Sequence, residues 1–223
     1  MTSFLTKLLE AVTNYSARFQ CEAPSFIDSY KCPNESIIVS EIAKIRSELS
    51  KKEKILQKYS KLKEILWLRD DELTGSIIDF LEVIGINTKR IEICEEDFWI
   101  VENGKEAVIV EVKALDKNLS RIHISQLDQH RAARDKPDNF PALLIVNSFN
   151  KASSPKEKDQ VISPNEIKKA VNTNALVLRT LDLFNAYCLI EKNNLERQDL
   201  LRIVKTENGW LKVDSSKWKI IRE

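Results

Sequence analysis

The stretch "EEDFWIVENGKEAVIVEVKAL" (residues 95–115) decides the fold, because it contains the most apolar strand pattern in the chain. Side chains of a β-strand alternate between its two faces. Over residues 108–113 one face carries Val108, Val110 and Val112, and the other carries Ile109, Glu111 and Lys113. Burying a carboxylate and an ammonium costs several kcal/mol unless another group compensates them. The pattern therefore predicts that Glu111 and Lys113 share one buried face and meet a partner there.

Two kinds of partner fit this face. Asp97 lies on the preceding strand, and Mg²⁺ is typically held by one or two carboxylates together with water and substrate phosphate. In that interpretation Asp97 and Glu111 bind the metal, and Lys113 positions a water or neutralises charge on a phosphate. In the structural alternative, Glu111 and Lys113 form an ion pair at a sheet edge and Asp97 caps a turn.

The connection between the two strands decides whether Asp97 can reach this face. A simple two-residue turn would place Asp97 opposite Val110, which points to the wrong side of the sheet. A three-residue loop over 102–104 would place Asp97 opposite Ile109 and diagonal to Glu111. The metal interpretation therefore predicts an odd-length or bulged turn, or a local bend in the Asp97 strand.

Composition limits the class of protein. With 43% hydrophobic and 31% charged residues, the 223-residue chain has the composition of an ordinary globular protein. A net charge of +1 excludes a dedicated basic coat, so any nucleic-acid contact must come from a local patch. The four cysteines show neither zinc-ligand nor disulfide-framework spacing, which favours a reducing, cytoplasmic environment. No apolar run is long enough to span a membrane, and we expect no membrane partner.

The N-terminal third is predicted to be helical. Residues 3–20 form an amphipathic pattern, and together with a linker they make up a first segment, 1–34. Residues 35–69 have apolar side chains at three- and four-residue steps among many lysines and glutamates. This pattern is typical of half a coiled coil, which would make the protein a homodimer, and equally of a solvated helix packed on its own domain.

From residue 70 to 223 the pattern changes to alternating helices and strands. This order predicts an α/β fold with a mixed central sheet flanked by helices, preceded by the helical arm. Gly85 is expected to cap the first helix, and a C-terminal hairpin over 209–221 would add an edge. The predicted strands are 88–101, 106–114, 141–147 and 175–180, and the predicted helices are 73–84, 121–135, 164–171, 180–191 and 195–204.

These residues together resemble a known family. An Asp followed by Glu-x-Lys on the next strand, here Asp97, Glu111 and Lys113, is similar to the signature of the PD-(D/E)xK nucleases. "LTGSIIDFLEVIGI" (73–86) resembles the first helix of these restriction-endonuclease-like proteins, and "HISQLDQHRAA" (123–133) resembles the helix that follows the signature. The resemblance covers roughly residues 70–192.

The resemblance implies a metal-dependent endonuclease with DNA rather than RNA as its substrate. Asp97 and Glu111 would bind Mg²⁺ or Mn²⁺, Lys113 would assist the attacking water, and Gln126 would orient that water or Lys113. The expected phosphate contacts are Lys117, Arg121, His123, His130 and Arg134. The alternative for the helix stripe His123, Gln126, His130 and Arg134 is a solvated surface with no substrate contact.

One position departs from the family pattern. Many relatives carry a glutamate on the first helix where this chain has Thr74. The departure leaves two carboxylates at the site, and it puts a second metal in doubt. It also keeps open an inactive nuclease-fold module that binds nucleic acid or a protein through its arm. A small-molecule phosphotransfer enzyme lacks support, because none of the four glycines forms a phosphate-binding loop.

Overall fold

The structure is a computed structural model, and it describes residues 6–7, 9–10, 24–90 and 97–223. The chain divides into two units, Met1–Ile55 and Leu56–Glu223. The second unit begins ahead of the predicted boundary at residue 70. Most of the predicted helix 3–20 lies outside the described residues, and its described parts, 6–7 and 9–10, are helical.

A long helix, α1 (Glu35–Leu62), follows a short 3-10 turn at Ser25–Ser29. It is shorter than the predicted 35–69, because the chain leaves the α-helix after Leu62 and forms a 3-10 turn at Glu64–Leu66. In the first unit its apolar stripe remains exposed, namely Ile38, Ile42, Ile45 and Leu49. The coiled coil stays a prediction. No described helix has the length and apolar character needed to cross a membrane.

The second unit is built on one seven-stranded mixed sheet, which confirms the predicted fold class. The strands lie in chain order, with antiparallel pairs at both edges and four parallel strands, β3 to β6, in the middle. They are β1 (Thr88–Arg90), β2 (Phe98–Glu102), β3 (Lys105–Ala114), β4 (Ala142–Asn147), β5 (Ala175–Arg179), β6 (Gly209–Val213) and β7 (Trp218–Ile221).

Helices cover both faces of this sheet. The remaining helices are α2 (Asp70–Ile84), α3 (Arg121–Ala133), α4 (Pro155–Lys158), α5 (Pro164–Asn172), α6 (Thr180–Glu191) and α7 (Arg197–Thr206). Apolar side chains of α3 and α5 pack on the face that contains Ile109, and those of α2, α6 and α7 pack on the face of the β3 valines. Gly85 ends α2 in the left-handed conformation (φ 85°), as predicted.

The prediction of one strand over 88–101 was wrong. Two strands occupy this range, and β1 pairs antiparallel with β2, with Thr88 opposite Ile100. The residues that separate β1 from β2 contain no Gly or Pro to signal a break in the sequence. The prediction failed because apolar alternation alone does not mark a chain reversal.

The β2–β3 connection contains both a tight turn and a bulge. Asn103 and Gly104 have positive φ angles of 51° and 76°, and Glu102 pairs with Lys105, so the predicted three-residue loop is wrong. The register then shifts by one between Ile100 and Val101, so the irregularity is a bulge within the strand pair and not the predicted bulged or odd-length turn.

The bulge sets the register at the site. Beyond it, Phe98 pairs with Val110. Ahead of Phe98 the regular ladder ends: the Asp97 N–H donates to Val110 O at 3.3 Å, and the Asp97 carboxylate accepts a hydrogen bond from the Val112 N–H. The extra residue on β3 thus restores the parity that a plain two-residue turn would lose.

Candidate functional site

Strand β3 holds Glu111 inside the sheet face that α3 covers. Glu111 is buried, with a side-chain exposure of 3%, and Ile109 two residues earlier packs against Ile124 and Leu127 of α3. Lys113 lies on the same face, and its ammonium contacts Glu111 Oε1. With 30% exposure, Lys113 marks the point where this buried face opens to solvent.

Asp97 completes the group from the neighbouring strand. Its Oδ2 accepts a hydrogen bond from the backbone N–H of Val112 at 2.6 Å. Its own N–H donates to Val110 O at 3.3 Å. Because Val112 stands between Glu111 and Lys113, the structure brings Asp97, Glu111 and Lys113 together as the sequence predicted.

The second oxygen of Glu111 contacts a histidine. His130 Nε2 lies 3.0 Å from Glu111 Oε2, and its side chain is 6% exposed. The two atoms are close without being aligned as a hydrogen bond. We assign a proton to Nε2 of His130, because an ionised carboxylate has no proton to donate and would repel a bare nitrogen lone pair at this distance. The two oxygens of Glu111 therefore face two different cationic or donor groups.

The two carboxylates differ in their electrostatics. Burial and the nearby charge of Glu111 raise the pKa of Asp97, although the Val112 N–H opposes this shift. Burial also acts to raise the pKa of Glu111, but His130 and Lys113 outweigh it and lower that pKa below its usual value. Glu111 is thus the more readily ionised member of the pair, and the ionised form of Asp97 is the one that its surroundings disfavour.

The donor set fits a hard divalent cation. Two crowded carboxylates are the oxygen ligands that Mg²⁺ prefers, with water and substrate oxygens completing its coordination. A cation held by Asp97 and Glu111 would favour the ionised form of Asp97, whose pKa is raised first by burial and then by the charge of Glu111. Within the described residues, no group of three or more His, Cys, Asp or Glu side chains is arranged to hold a metal ion.

Gln126 lies on α3 one turn before His130. Its Oε1 is buried and has no hydrogen-bond partner among the residues that the structure describes. A buried polar atom without a protein partner calls for water or a ligand. This fits the predicted role of Gln126 beside an attacking water, although no direct contact with Glu111 or Lys113 is present.

His123 occupies the first turn of α3. The backbone N–H of Ser120 donates to His123 Nδ1 at 3.3 Å, and the Ser120 hydroxyl lies 3.1 Å from the same nitrogen. Burial and then the charge of Lys113 lower the pKa of His123, which favours its neutral form. Because Nδ1 accepts from the Ser120 N–H, the proton of the neutral ring lies on Nε2.

The other predicted phosphate contacts divide into two groups. Lys117 and Arg121 are exposed and follow the end of β3 at which Lys113 opens to solvent. Arg134 caps the opposite end of α3, about 20 Å away at 1.5 Å per residue. His130 is buried against Glu111, so its placement favours a role towards that carboxylate over the predicted contact with substrate.

Thr74 occupies the position that differs from the family pattern. It is buried on α2, and its Oγ1 lies 3.5 Å from Asp97 Oδ1. The hydroxyl is thus aimed at the carboxylate pair from the first helix. The site contains a neutral donor there instead of a third acid.

Two parts of this arrangement were missed from the sequence. The backbone N–H of Val112 cannot be recognised as an Asp97 partner without the strand register. The contact between His130 and Glu111 had one signal, the four-residue step from Gln126 that places both on one side of α3.

Comparisons with known proteins give a limited result. No protein-family model matches the chain, and no curated protein matches it. Similar solved structures include the restriction endonuclease FokI alone (TM-score 0.41) and bound to DNA (TM-score 0.40). Each is 16% identical, and each alignment covers 66% of this chain but only 30% of FokI.

Proposed function

We propose that the protein is a metal-dependent nuclease that hydrolyses phosphodiester bonds, with DNA as its substrate. The observation that carries the proposal is the bond from the Val112 N–H to Asp97. It fixes one carboxylate beside the Glu111-x-Lys113 pair, on a face that opens to solvent at Lys113. The proposed endonuclease activity, Mg²⁺ dependence and DNA preference all rest on this site and on the family resemblance of its residues.

Each residue has a distinct part in the proposed reaction. Asp97 and Glu111 would hold Mg²⁺ or Mn²⁺, which acts as a Lewis acid on the phosphate when bound. Lys113 orients the attacking water and compensates negative charge that develops on the phosphate. The buried Oε1 of Gln126 accepts a hydrogen bond from that water.

Substrate binding is assigned to the open end of the site. Lys117 and Arg121 would contact phosphates, and the Nε2–H of neutral His123 would add a donor. Lysine and arginine in such positions make binding depend on salt, since each neutralised phosphate releases counterions. Arg134 lies at the other end of α3 and could act only on a more distant part of a long substrate.

A nicking assay tests the proposal. Supercoiled plasmid is incubated with wild-type protein and with Glu111→Gln, each with Mg²⁺ or with a chelator. We expect relaxed or linear plasmid only with wild type and Mg²⁺. Equal nicking by both proteins, or nicking that persists in chelator, would refute the proposal.

Thr74 favours a second candidate function. Without a first-helix acid, and with both Glu111 oxygens in contact with Lys113 and His130, the site can also be a satisfied structural cluster. The protein would then be an inactive nuclease-fold module that binds nucleic acid or a partner through α1. DNA binding without Mg²⁺-dependent nicking would support this function.

A further inference from the structure

The two contacts of Glu111 differ in how easily they can be released. Lys113 reaches Oε1 through a flexible side chain that is 30% exposed. His130 meets Oε2 with a short, rigid ring that is 6% exposed and fixed on α3. Lys113 can therefore exchange its contact with Glu111 for solvent by rotating its side chain, whereas the enclosed ring of His130 has far less room to move.

This difference assigns separate tasks to the two oxygens. If Lys113 withdraws to act on water, Oε1 becomes free while Oε2 remains bound to His130. A monodentate carboxylate with one oxygen fixed presents the other in a defined direction. Partners that orient a ligand in this way commonly change metal affinity 10- to 100-fold.

We infer that His130 is a positioning residue: it holds Oε2 of Glu111 so that Oε1 is the oxygen offered to a divalent cation. The inference rests on the proposed function and extends it to a residue that would touch neither metal nor substrate. It also explains why a histidine is buried against this carboxylate. Both ring nitrogens of His130 and Oε2 of Glu111 are enclosed, so packing sets the geometry of this contact.

Metal-dependent melting of two variants tests the inference. His130→Leu removes the donor, and His130→Gln keeps one at similar reach. Wild type and both variants are melted in chelator and across a Mn²⁺ titration, with the Mn²⁺-induced rise in Tm as the readout. We expect His130→Leu to need about 10- to 100-fold more Mn²⁺ for the same rise, and His130→Gln to recover most of the affinity.

The melting results separate failure of the inference from failure of the proposed function. A lower Tm for His130→Leu in chelator with an unchanged Mn²⁺ response would show a purely structural role and overturn the inference. The absence of any Mn²⁺ response in wild type would overturn the proposed function and the inference with it.

A second measurement uses the unaltered protein, in case His130→Leu does not fold. The chain has only two histidines, so ¹⁵N spectra of their rings are assigned with His130→Gln alone. We expect the Nε2 proton of His130 to be present both without and with Mg²⁺. Loss of that proton when Mg²⁺ is added would mean that the ring binds the metal directly and would overturn the inference.

Discussion

Oδ2 of Asp97 accepts a hydrogen bond from the backbone N–H of Val112, with 2.6 Å between the oxygen and the nitrogen. The bond joins the beginning of β2 to β3 at the residue between Glu111 and Lys113. The place of Asp97 in the cluster therefore depends on the backbone rather than on a bound cation. An asparagine keeps an oxygen acceptor for this N–H, so Asp97→Asn removes the charge while the hydrogen bond to Val112 is retained.

Replacement of Lys113 should separate catalysis from metal binding. In Lys113→Met we expect the rate of plasmid cleavage to fall by about 10²- to 10⁴-fold, the usual contribution of a positioned acid–base group. The Mg²⁺-induced rise in Tm should persist, because both carboxylates remain. Lys151→Met is the matched control, since Lys151 is an exposed lysine paired with Asp116. Equal cleavage by both variants would exclude Lys113 from the reaction.

Strand alternation was enough to predict the centre of the site. It placed Glu111 and Lys113 on one face, which the structure shows, and it required an odd-length or bulged turn or a bend to bring Asp97 there; the structure has a bulge within the strand pair instead of an altered turn. The location of the bulge could not be predicted, because Asn103-Gly104 allows a two-residue turn and nothing in the sequence marks the extra residue on β3. Local propensity sets the turn type, whereas strand pairing sets the register.

Helical periodicity was less informative than strand alternation. It grouped His123, Gln126, His130 and Arg134 on one side of α3 and assigned the three basic residues to substrate. Which of them is buried depends on how α3 lies over the sheet, and that packing is a tertiary property. In the structure His130 contacts Glu111, and Arg134 lies at the C-terminal end of α3.

Charge reversal at Arg121 should weaken DNA binding and its salt dependence. For Arg121→Glu we expect the slope of log K against log salt to become shallower by about one or more, as phosphate contacts are lost. Arg202→Glu on α7, which packs on the other face of the sheet, is the control and should leave the slope unchanged. Identical slopes for wild type and Arg121→Glu, measured by fluorescence anisotropy, would count against this binding surface.

Lys158 should make stability depend on pH. Its ammonium donates to Ser148 O at 3.0 Å, and burial and the charge of Arg179 lower its pKa to about 8, from an ordinary value of 10.5. Between about pH 8 and 10.5 the Lys158 side chain is protonated in the unfolded chain but largely neutral in the folded protein. The contribution of Lys158 to the free energy of unfolding should therefore rise with pH over this range. Urea unfolding of wild type and Lys158→Met isolates the effect. A difference in unfolding free energy that does not vary over this pH range would disprove the lowered pKa.

The exposed stripe on α1 should mediate self-association. Ile38, Ile42, Ile45 and Leu49 follow alternating four- and three-residue steps, which suit a two-stranded coiled coil. Sedimentation at tens of micromolar should show a dimer for wild type and for Ser47→Asp, and a monomer for Ile45→Asp. A monomeric wild type would rule out the homodimer.

The most direct test of the metal site is a comparison of melting temperatures for wild type, Asp97→Asn and Glu111→Gln, in chelator and in excess Mg²⁺. A metal site predicts that Mg²⁺ stabilises wild type, because it binds only the folded state, and that both variants lose most of this gain. In chelator, Asp97→Asn should be at least as stable as wild type, since burial and Glu111 raise the Asp97 pKa and disfavour its charge. Glu111→Gln should be less stable, since it removes the negative charge that faces Lys113 and His130. The contradicting result is that both variants melt well below wild type in chelator and that Mg²⁺ shifts none of the three proteins.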